Sequence, residues 1–140
     1  MATNSISDIM TTQVHTVSPD TSLQEVARIM RDSDLGDVLV TEEGHLVGIL
    51  TDRDLVVRCV AEDGNPAGHT AGEICSSEVA TVPPQSDIRD AVNTMREGAV
   101  RRLPVVDGDR VVGVVTMGDL AQAIDRNSAL ADVSAAAPNR

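Results

Sequence analysis

Residues 48–55 read GILTDRDL, and residues 113–120 read GVVTMGDL. Both stretches follow the pattern Gly-x-x-Thr-x-x-Asp-Leu, and they lie 65 positions apart. With this shift, residues 8–55 align with residues 73–120 over 48 positions without a gap. Self-similarity at a fixed spacing is the signature of an internal repeat. The chain is therefore predicted to contain two copies of one structural unit.

The same order of elements is predicted for each copy. In the first copy, a short extended segment at residues 14–17 precedes a helix whose apolar side chains recur at i, i+3, i+4 and i+7. Thr21 and Gln24 have the spacing of a capping box at the start of this helix. Two β-rich runs follow at residues 38–41 and 46–51, joined by a Gly-containing turn that is typical of a hairpin. A second helix is predicted near residues 52–61. The corresponding segments of the second copy are residues 79–82, 103–106, 111–116 and 117–126.

The predicted fold class is α+β, with tandem β-α-β-β-α repeats. One such unit is too small to cover its own sheet, so we expect the two repeats to pack about a pseudo-twofold axis as one compact module. The predicted boundaries are residues 1–61 and 71–126 for the repeats and 62–70 for a polar linker. The Ala- and Ser-rich residues 127–140 are predicted to form a flexible C-terminal tail.

Composition excludes several classes of function. The chain carries 22 acidic residues against 11 arginines, has a net charge of −11 and contains no Lys, Phe, Tyr or Trp. A polyanion such as DNA would be repelled, and no aromatic platform is present for single strands, so we expect no nucleic-acid partner. No apolar run approaches the ~20 residues that span a bilayer, and the N-terminus lacks a secretory signal, which predicts a cytoplasmic protein without membrane association.

Cys59, His69 and Cys75 are the residues to consider for a metal. Their spacing matches no common zinc pattern, and a fourth ligand is not evident. We therefore predict no metal site, and interpret the two cysteines as small buried apolar residues or a surface thiol.

The repeated Thr-x-x-Asp turn has two interpretations. It is the pattern of a capping box, in which the hydroxyl and the carboxylate satisfy backbone N–H groups at the start of a helix. A carboxylate there also disfavours phosphate but is well placed to accept hydrogen bonds from a sugar diol. Arg101 and Arg102 lead into a neighbouring strand and offer cations for a phosphate. The alternative, a solvated pair that faces the acidic residues of the chain, is less favoured for two adjacent cations in an acidic protein.

These motifs resemble those of the cystathionine-β-synthase (CBS) domain pair, or Bateman module, over about residues 6–126. The opening Asp/Glu-Ile-x-x-x-x-Val-x-Thr-Val-x-Pro and the ending Gly-x-x-Thr-x-x-Asp-Leu occur in both copies. The strand Leu-Pro-Val-Val is clear at residues 103–106 and looser at residues 38–41. The variants at residues 51–54 and 100–104 look like those of small stand-alone bacterial CBS proteins.

The resemblance implies a regulatory module that binds AMP, ADP, ATP or a related adenosyl ligand in the cleft between the repeats. It also implies a homodimer whose four repeats form a disc and which signals to a separate, unidentified protein. The nucleotide-binding residues that it implies are Thr16, Thr51, Asp54, Thr81, Val100, Arg101, Arg102, Leu103, Thr116 and Asp119.

Each of these residues has an implied role. The aspartates would accept from ribose hydroxyls, with the threonines of the same turns beside them, while Thr16 and Thr81 would contact the base or ribose. Val100 and Leu103, and Leu35 and Val38 in the first copy, would flank the purine. The two arginines would bind phosphate.

The two copies are not equivalent at these positions. Where the second copy has Arg101 and Arg102, the first has Gly36 and Asp37, and a carboxylate repels phosphate. Arg53 in turn replaces Gly118. We therefore expect one good nucleotide site, or two sites that share the arginines of the second copy.

Two other classes of function are alternatives to a nucleotide-binding module. A structural or stress-response dimer without a small ligand would use the turns only as helix caps. An enzyme is not predicted, because the sequence offers no nucleophile–base pair, Walker A loop, GxGxxG motif or metal-ligand cluster, and so no catalytic residues.

Overall fold

The computed structural model describes residues 5–126, which form two compact units. One, here called the repeat-1 unit, comprises residues 13–79 and 109–111. The other, the repeat-2 unit, comprises residues 5–12, 80–108 and 112–126 of the described chain. Each unit therefore contains chain from both sequence repeats.

The observed elements follow the predicted order with two differences. Two short helices are added, and the extended segment predicted at residues 79–82 forms only an isolated bridge between Val82 and Val105. In chain order the elements are α1 Ile6–Ile9, β1 Thr16–Val17, α2 Leu23–Ser33, β2 Asp37–Glu42, β3 His45–Thr51, α3 Asp52–Asp54, a π-helical stretch Leu55–Cys59, 3₁₀ turns Val60–Glu62 and Pro66–Gly68, α4 Ala71–Ile74, α5 Ile88–Gly98, β4 Arg102–Asp107, β5 Arg110–Thr116 and α6 Met117–Arg126. The predicted α+β class and its hairpins are confirmed.

The strands of the repeat-1 unit position the Thr51–Asp54 turn at the end of β3. Strand β1 runs parallel to β2, with Thr16 opposite Leu39. Strand β2 is antiparallel to β3, so that Asp37 at the start of one lies opposite Thr51 at the end of the other. Leu39 also pairs with Ile49. Strand β1 therefore lies beside the first half of β2, which itself pairs with the second half of β3.

Helix α2 begins one residue later than a Thr21–Gln24 capping box, suggested by the sequence, would require. Its N-cap is Ser22, whose hydroxyl accepts from the Glu25 amide at 3.1 Å. The Thr21 hydroxyl instead accepts from the Ser18 amide at 3.1 Å. That box is therefore wrong, because a local turn at Ser18 competes for the Thr21 side chain.

Both units bury most of the apolar side chains that the helical periodicity predicts, although Ala27, at the i+4 position of α2, is exposed. In the repeat-1 unit, Leu23, Val26 and Met30 of α2 pack on alternating strand residues. The repeat-2 unit uses the matching positions of its own helix and strands. Its core also takes in Ile6, which is fully buried although it belongs to the first sequence repeat.

The segment that opens the first repeat is built into the repeat-2 unit. The amides of Ile6 and Ser7 donate to the carbonyls of Ser86 and Pro84, each at 2.9 Å. Farther along, Thr11 forms an antiparallel bridge with Val114 of β5, with N–O distances of 2.8 and 2.9 Å.

The segment that opens the second repeat is built into the repeat-1 unit in the same way. The Ala71 amide donates to the Thr21 carbonyl at 2.8 Å, and the Gly72 amide donates to the Pro19 carbonyl at 2.9 Å. Ser76 bridges Ile49 of β3. The two repeats have therefore exchanged equivalent opening segments.

The predicted tail at residues 127–140 lies outside the described residues. None of the helices found between residues 5 and 126 has the length and apolar character needed to cross a bilayer.

Candidate functional site

The two Thr–Asp turns form complete capping boxes. In the repeat-2 unit, the Thr116 amide donates to Asp119 Oδ2 at 3.0 Å, and the Asp119 amide donates to Thr116 Oγ1 at 3.0 Å. The equivalent distances in the repeat-1 unit, between Thr51 and Asp54, are 2.9 and 3.1 Å. The capping interpretation is thus confirmed. Each box uses only Oδ2 of its carboxylate, so Oδ1 is left over for another donor.

The glycine of the repeated motif has a structural role that the sequence interpretation missed. A Cβ on Gly48 would lie 2.5 Å from the Ser76 carbonyl oxygen, and one on Gly113 would lie 2.8 Å from the Thr11 carbonyl oxygen. Both glycines therefore allow the exchanged segment to cross the strand in backbone contact. A glycine inside a strand pattern is a general signal for such a close approach.

In each unit, the turn before the neighbouring strand is hydrogen-bonded to the Thr–Asp turn. In the repeat-2 unit, the Met117 amide donates to the Arg101 carbonyl at 2.8 Å. This bond holds Arg101 next to the start of α6. The chain enters the turn through Ala99, which adopts the left-handed conformation with φ of 53°.

The repeat-1 unit has the same backbone arrangement with different side chains. The Asp52 amide donates to the Gly36 carbonyl at 2.9 Å, and Asp34 is left-handed with φ of 55°. The position of Arg101 is therefore occupied by a residue without a side chain. The next residue is Asp37, which replaces the cation of Arg102 with an anion.

An apolar cleft of about 480 Å³ opens beside the turn of the repeat-2 unit. Helices α5 and α6 and the turn before β4 form its walls, and Arg96 and Arg101 contribute its cations. It is lined by Val92, Met95, Arg96, Ala99, Val100, Arg101, Met117, Leu120, Ala121 and Ile124. The cleft thus combines an apolar wall with guanidinium groups.

The predicted site residues fall into two groups, one in each unit. The repeat-2 unit holds Thr81, Val100, Arg101, Arg102, Leu103, Thr116 and Asp119, whereas the repeat-1 unit holds Thr16, Thr51 and Asp54. Thr81 is exposed and precedes Val82, which pairs with Val105 of β4. Val100 is 36% exposed.

The apolar residues predicted beside the purine differ in exposure. Leu103 in β4 and Val38 in β2 lie in their cores with 0% and 1% exposure, and Leu35 packs against the core of the repeat-1 unit. A ligand at the repeat-2 turn would therefore meet the backbone of Leu103 rather than its side chain.

Arg58 is a residue of the repeat-1 turn that the sequence interpretation missed. Its Nε lies 3.7 Å from Asp54 Oδ1, and its Nη1 donates to the Ile74 carbonyl at 2.9 Å. The spacing of four residues between an acid and a base on a helix was the available signal. In the second repeat the matching residue is Ala123, which is fully buried.

The candidate metal ligands do not assemble. Within residues 5–126, no group of three or more His, Cys, Asp or Glu side chains is placed to hold a metal ion. Cys59 is buried, and Cys75 packs against the same apolar core, where burial raises the pKa of its thiol. His69 Nδ1 lies 2.9 Å from Glu73 Oε1 instead.

Comparison with known proteins places the duplicated turn in a family. A sequence model of the CBS domain matches residues 6–61 and again residues 71–126. The chain belongs to the CBS domain family. The predicted identification as a CBS domain pair is confirmed.

Relatives of similar length share this organisation. The CBS domain-containing protein YhcV of Bacillus subtilis is 42% identical over 118 residues, which cover 84% of each chain. Hypoxic response protein 1 of Mycobacterium tuberculosis is 34% identical over 129 residues, covering 91% of this chain and 90% of the relative.

Solved CBS structures show the same fold with different ligands. Hypoxic Response Protein I with two coordinated zinc ions matches with a TM-score of 0.79 at 35% identity, over 85% of this chain and 98% of the other. CBSX2 in complex with AMP matches with a TM-score of 0.75 at 25% identity, over 86% and 96%.

Proposed function

We propose that this CBS pair is a non-catalytic regulatory module that binds an adenine nucleotide at the Thr116–Asp119 turn of the repeat-2 unit. The observation that carries the proposal is the 2.8 Å bond between the Met117 amide and the Arg101 carbonyl. It holds a cationic residue beside a carboxylate whose Oδ1 lies outside the capping box. A ligand that carries both a diol and a phosphate matches this pair of groups.

Each part of a nucleotide has a chemical counterpart there. Asp119 Oδ1 accepts from a ribose hydroxyl, and Thr81 and Thr116 offer hydroxyls to the ribose or base. Val100 and the exposed Met117 give an aliphatic surface for the purine face. Arg101 and Arg102 bind the phosphate, where guanidinium groups can form paired charge-assisted hydrogen bonds. The AMP complex of CBSX2 supports this choice of ligand.

A regulatory role needs a partner and a change that the partner detects. We propose a cytoplasmic homodimer, with four repeats in a disc, that acts on a separate protein. Exposed apolar side chains support an association of this kind, since Val56 and Val60 are each 58% exposed and Ile124 is 49% exposed. A nucleotide shifts the arrangement only if it binds one arrangement more tightly than the other.

A structural dimer without a small ligand is the second candidate. It is favoured by the capping boxes, which are complete without any ligand. Hypoxic Response Protein I coordinates two zinc ions, whereas within residues 5–126 of this chain no group of three or more His, Cys, Asp or Glu side chains is placed to hold a metal ion.

Ultraviolet absorption and calorimetry separate the two candidates. Without Phe, Tyr or Trp, the protein itself absorbs very little at 260 nm, so a band there reports nucleotide retained from the cell. After its removal, titration with AMP and with ATP is expected to give a saturable heat. A purified protein with no such band and no heat with either nucleotide would favour the structural dimer.

A further inference from the structure

The two aspartates of the repeated motif differ at their second oxygen. Both use Oδ2 to accept from the threonine amide of their own turn. Asp54 Oδ1, however, faces the Arg58 guanidinium at 3.7 Å. In the second repeat, the residue at the position of Arg58 is Ala123, which carries no charge.

Arg58 is held in place from a second side. Its Nη1 donates to the carbonyl of Ile74, the last residue of α4, at 2.9 Å. Arg58 lies in the π-helical stretch Leu55–Cys59, a winding that interrupts the helix after the repeat-1 turn and that is frequent at functional sites. The helix after the repeat-2 turn is α-helical throughout. The Arg58 guanidinium therefore bridges the Asp54 carboxylate and the exchanged segment that ends at Ile74.

We propose that Arg58 blocks the repeat-1 turn and so limits the chain to one nucleoside. This inference rests on the proposed function, because it assumes that the free carboxylate oxygen is what a ribose hydroxyl would contact. The guanidinium lies against the oxygen to which the hydroxyl would donate, 3.7 Å from Asp54 Oδ1, so a ligand must displace Arg58 from Asp54. Arg58 is thus a specificity-determining residue of the repeat-1 turn.

The choice of probe follows from the charges. Asp37 lies in the same turn region and disfavours a phosphate, whereas adenosine has the ribose and base without the charge. Equilibrium dialysis with adenosine, followed at 260 nm where the protein is nearly silent, gives the number of sites per chain. The parent is expected to bind one adenosine, and Arg58→Ala is expected to bind two.

Three variants make the result specific. Arg58→Lys keeps a cation near Asp54 and is expected to bind one adenosine. Arg53→Ala removes an exposed arginine of the same turn and is also expected to bind one adenosine. Arg58→Ala combined with Asp54→Ala is expected to return the count to one.

The double variant Arg58→Ala/Asp119→Ala separates this inference from the proposed function. It is expected to bind one adenosine, at the repeat-1 turn. Loss of binding in Asp119→Ala alone supports the proposed function, whereas no adenosine bound by the double variant overturns the role of Arg58. A parent that already binds two adenosines overturns it as well. Thermal unfolding followed by circular dichroism checks that each variant is folded.

Discussion

The repeat-1 and repeat-2 turns share a backbone and differ in the charges around it. Both have a Thr–Asp capping box and a left-handed residue before the neighbouring strand. In each unit, a backbone amide of the capping box turn also donates to a carbonyl in the turn before that strand. The repeat-1 turn is surrounded by Gly36, Asp37 and Arg58, the repeat-2 turn by Arg101, Arg102 and Ala123. Duplication has thus preserved the backbone of the turn while the side chains around it have diverged.

The largest difference is expected between the two aspartates. Asp119→Ala should weaken AMP binding by roughly 100-fold, because it removes a charged acceptor of ribose hydroxyls. Asp54→Ala should change the AMP affinity little, since its carboxylate already faces Arg58. Both variants lose a helix cap worth about 1 kcal/mol, so their stabilities provide the matched control. Isothermal titration calorimetry measures the affinities, and equal losses at the two positions would remove the distinction between the turns.

The motif glycines test the exchange of opening segments. Gly48→Ala and Gly113→Ala should each reduce the free energy of unfolding by about 1–3 kcal/mol through overpacking. The effect should be at least as large at Gly48, where the added Cβ lies 2.5 Å from a backbone oxygen, as at Gly113, where that distance is 2.8 Å. Gly108→Ser is the control for backbone strain without a steric contact. An added Cβ there would meet open space, but the φ of this hairpin residue is 71°. Urea unfolding gives the values, and two neutral Gly→Ala variants would contradict the crossing.

A smaller effect is expected from the cation of the repeat-2 turn. Arg101→Ala should weaken AMP binding by about tenfold through the loss of a charge-assisted hydrogen bond. Adenosine, which lacks the phosphate, should bind as tightly to the variant as to the parent. Competition between the two ligands in calorimetry measures both affinities. A matching loss for adenosine would show that Arg101 contacts the nucleoside and not the phosphate.

The smallest effect concerns the caps of the exchanged segments. Hydrogen bonds from His69 and from Thr70 lower the pKa of the Glu73 carboxyl, whose ordinary value is 4.5. Its stabilising contribution is thus fully present above pH 4.5 and is lost as the pH falls through the lowered value. Glu73→Gln should therefore reduce the loss of stability on acidification by the contribution of one titrating carboxyl group. Thermal unfolding between pH 3 and pH 6 measures this loss. An unchanged acid limb would show that this cap does not contribute.

The sequence predicts the elements of each unit well because their signals are local. Hairpins and amphipathic helices follow from alternation and from helical periodicity, and the duplicated motif marks where each helix begins. The exchange of segments is not local, because the partner of Thr11 is Val114 and only packing selects it. The same holds for Arg58, whose contact with Ile74 depends on where α4 lies. The α2 cap lies at Ser22 rather than at Thr21 because the Thr21 hydroxyl accepts from the Ser18 amide instead.

The candidate site shows the same division. The capping boxes could be read from the spacing of Thr and Asp, and the difference in charge between the turns could be read from residues 36–37 and 101–102. Burial of Leu103 and Val38 could not, because a strand residue beside a turn can face either the core or a ligand.

A crystal structure of the protein with AMP is the sharpest test of nucleotide binding at the repeat-2 turn. AMP is expected there, with a ribose hydroxyl within hydrogen-bonding distance of Asp119 Oδ1 and the phosphate on Arg101 or Arg102. AMP bound at the repeat-1 turn with Arg58 still on Asp54, or a repeat-2 turn that stays empty at saturating AMP, would contradict this expectation.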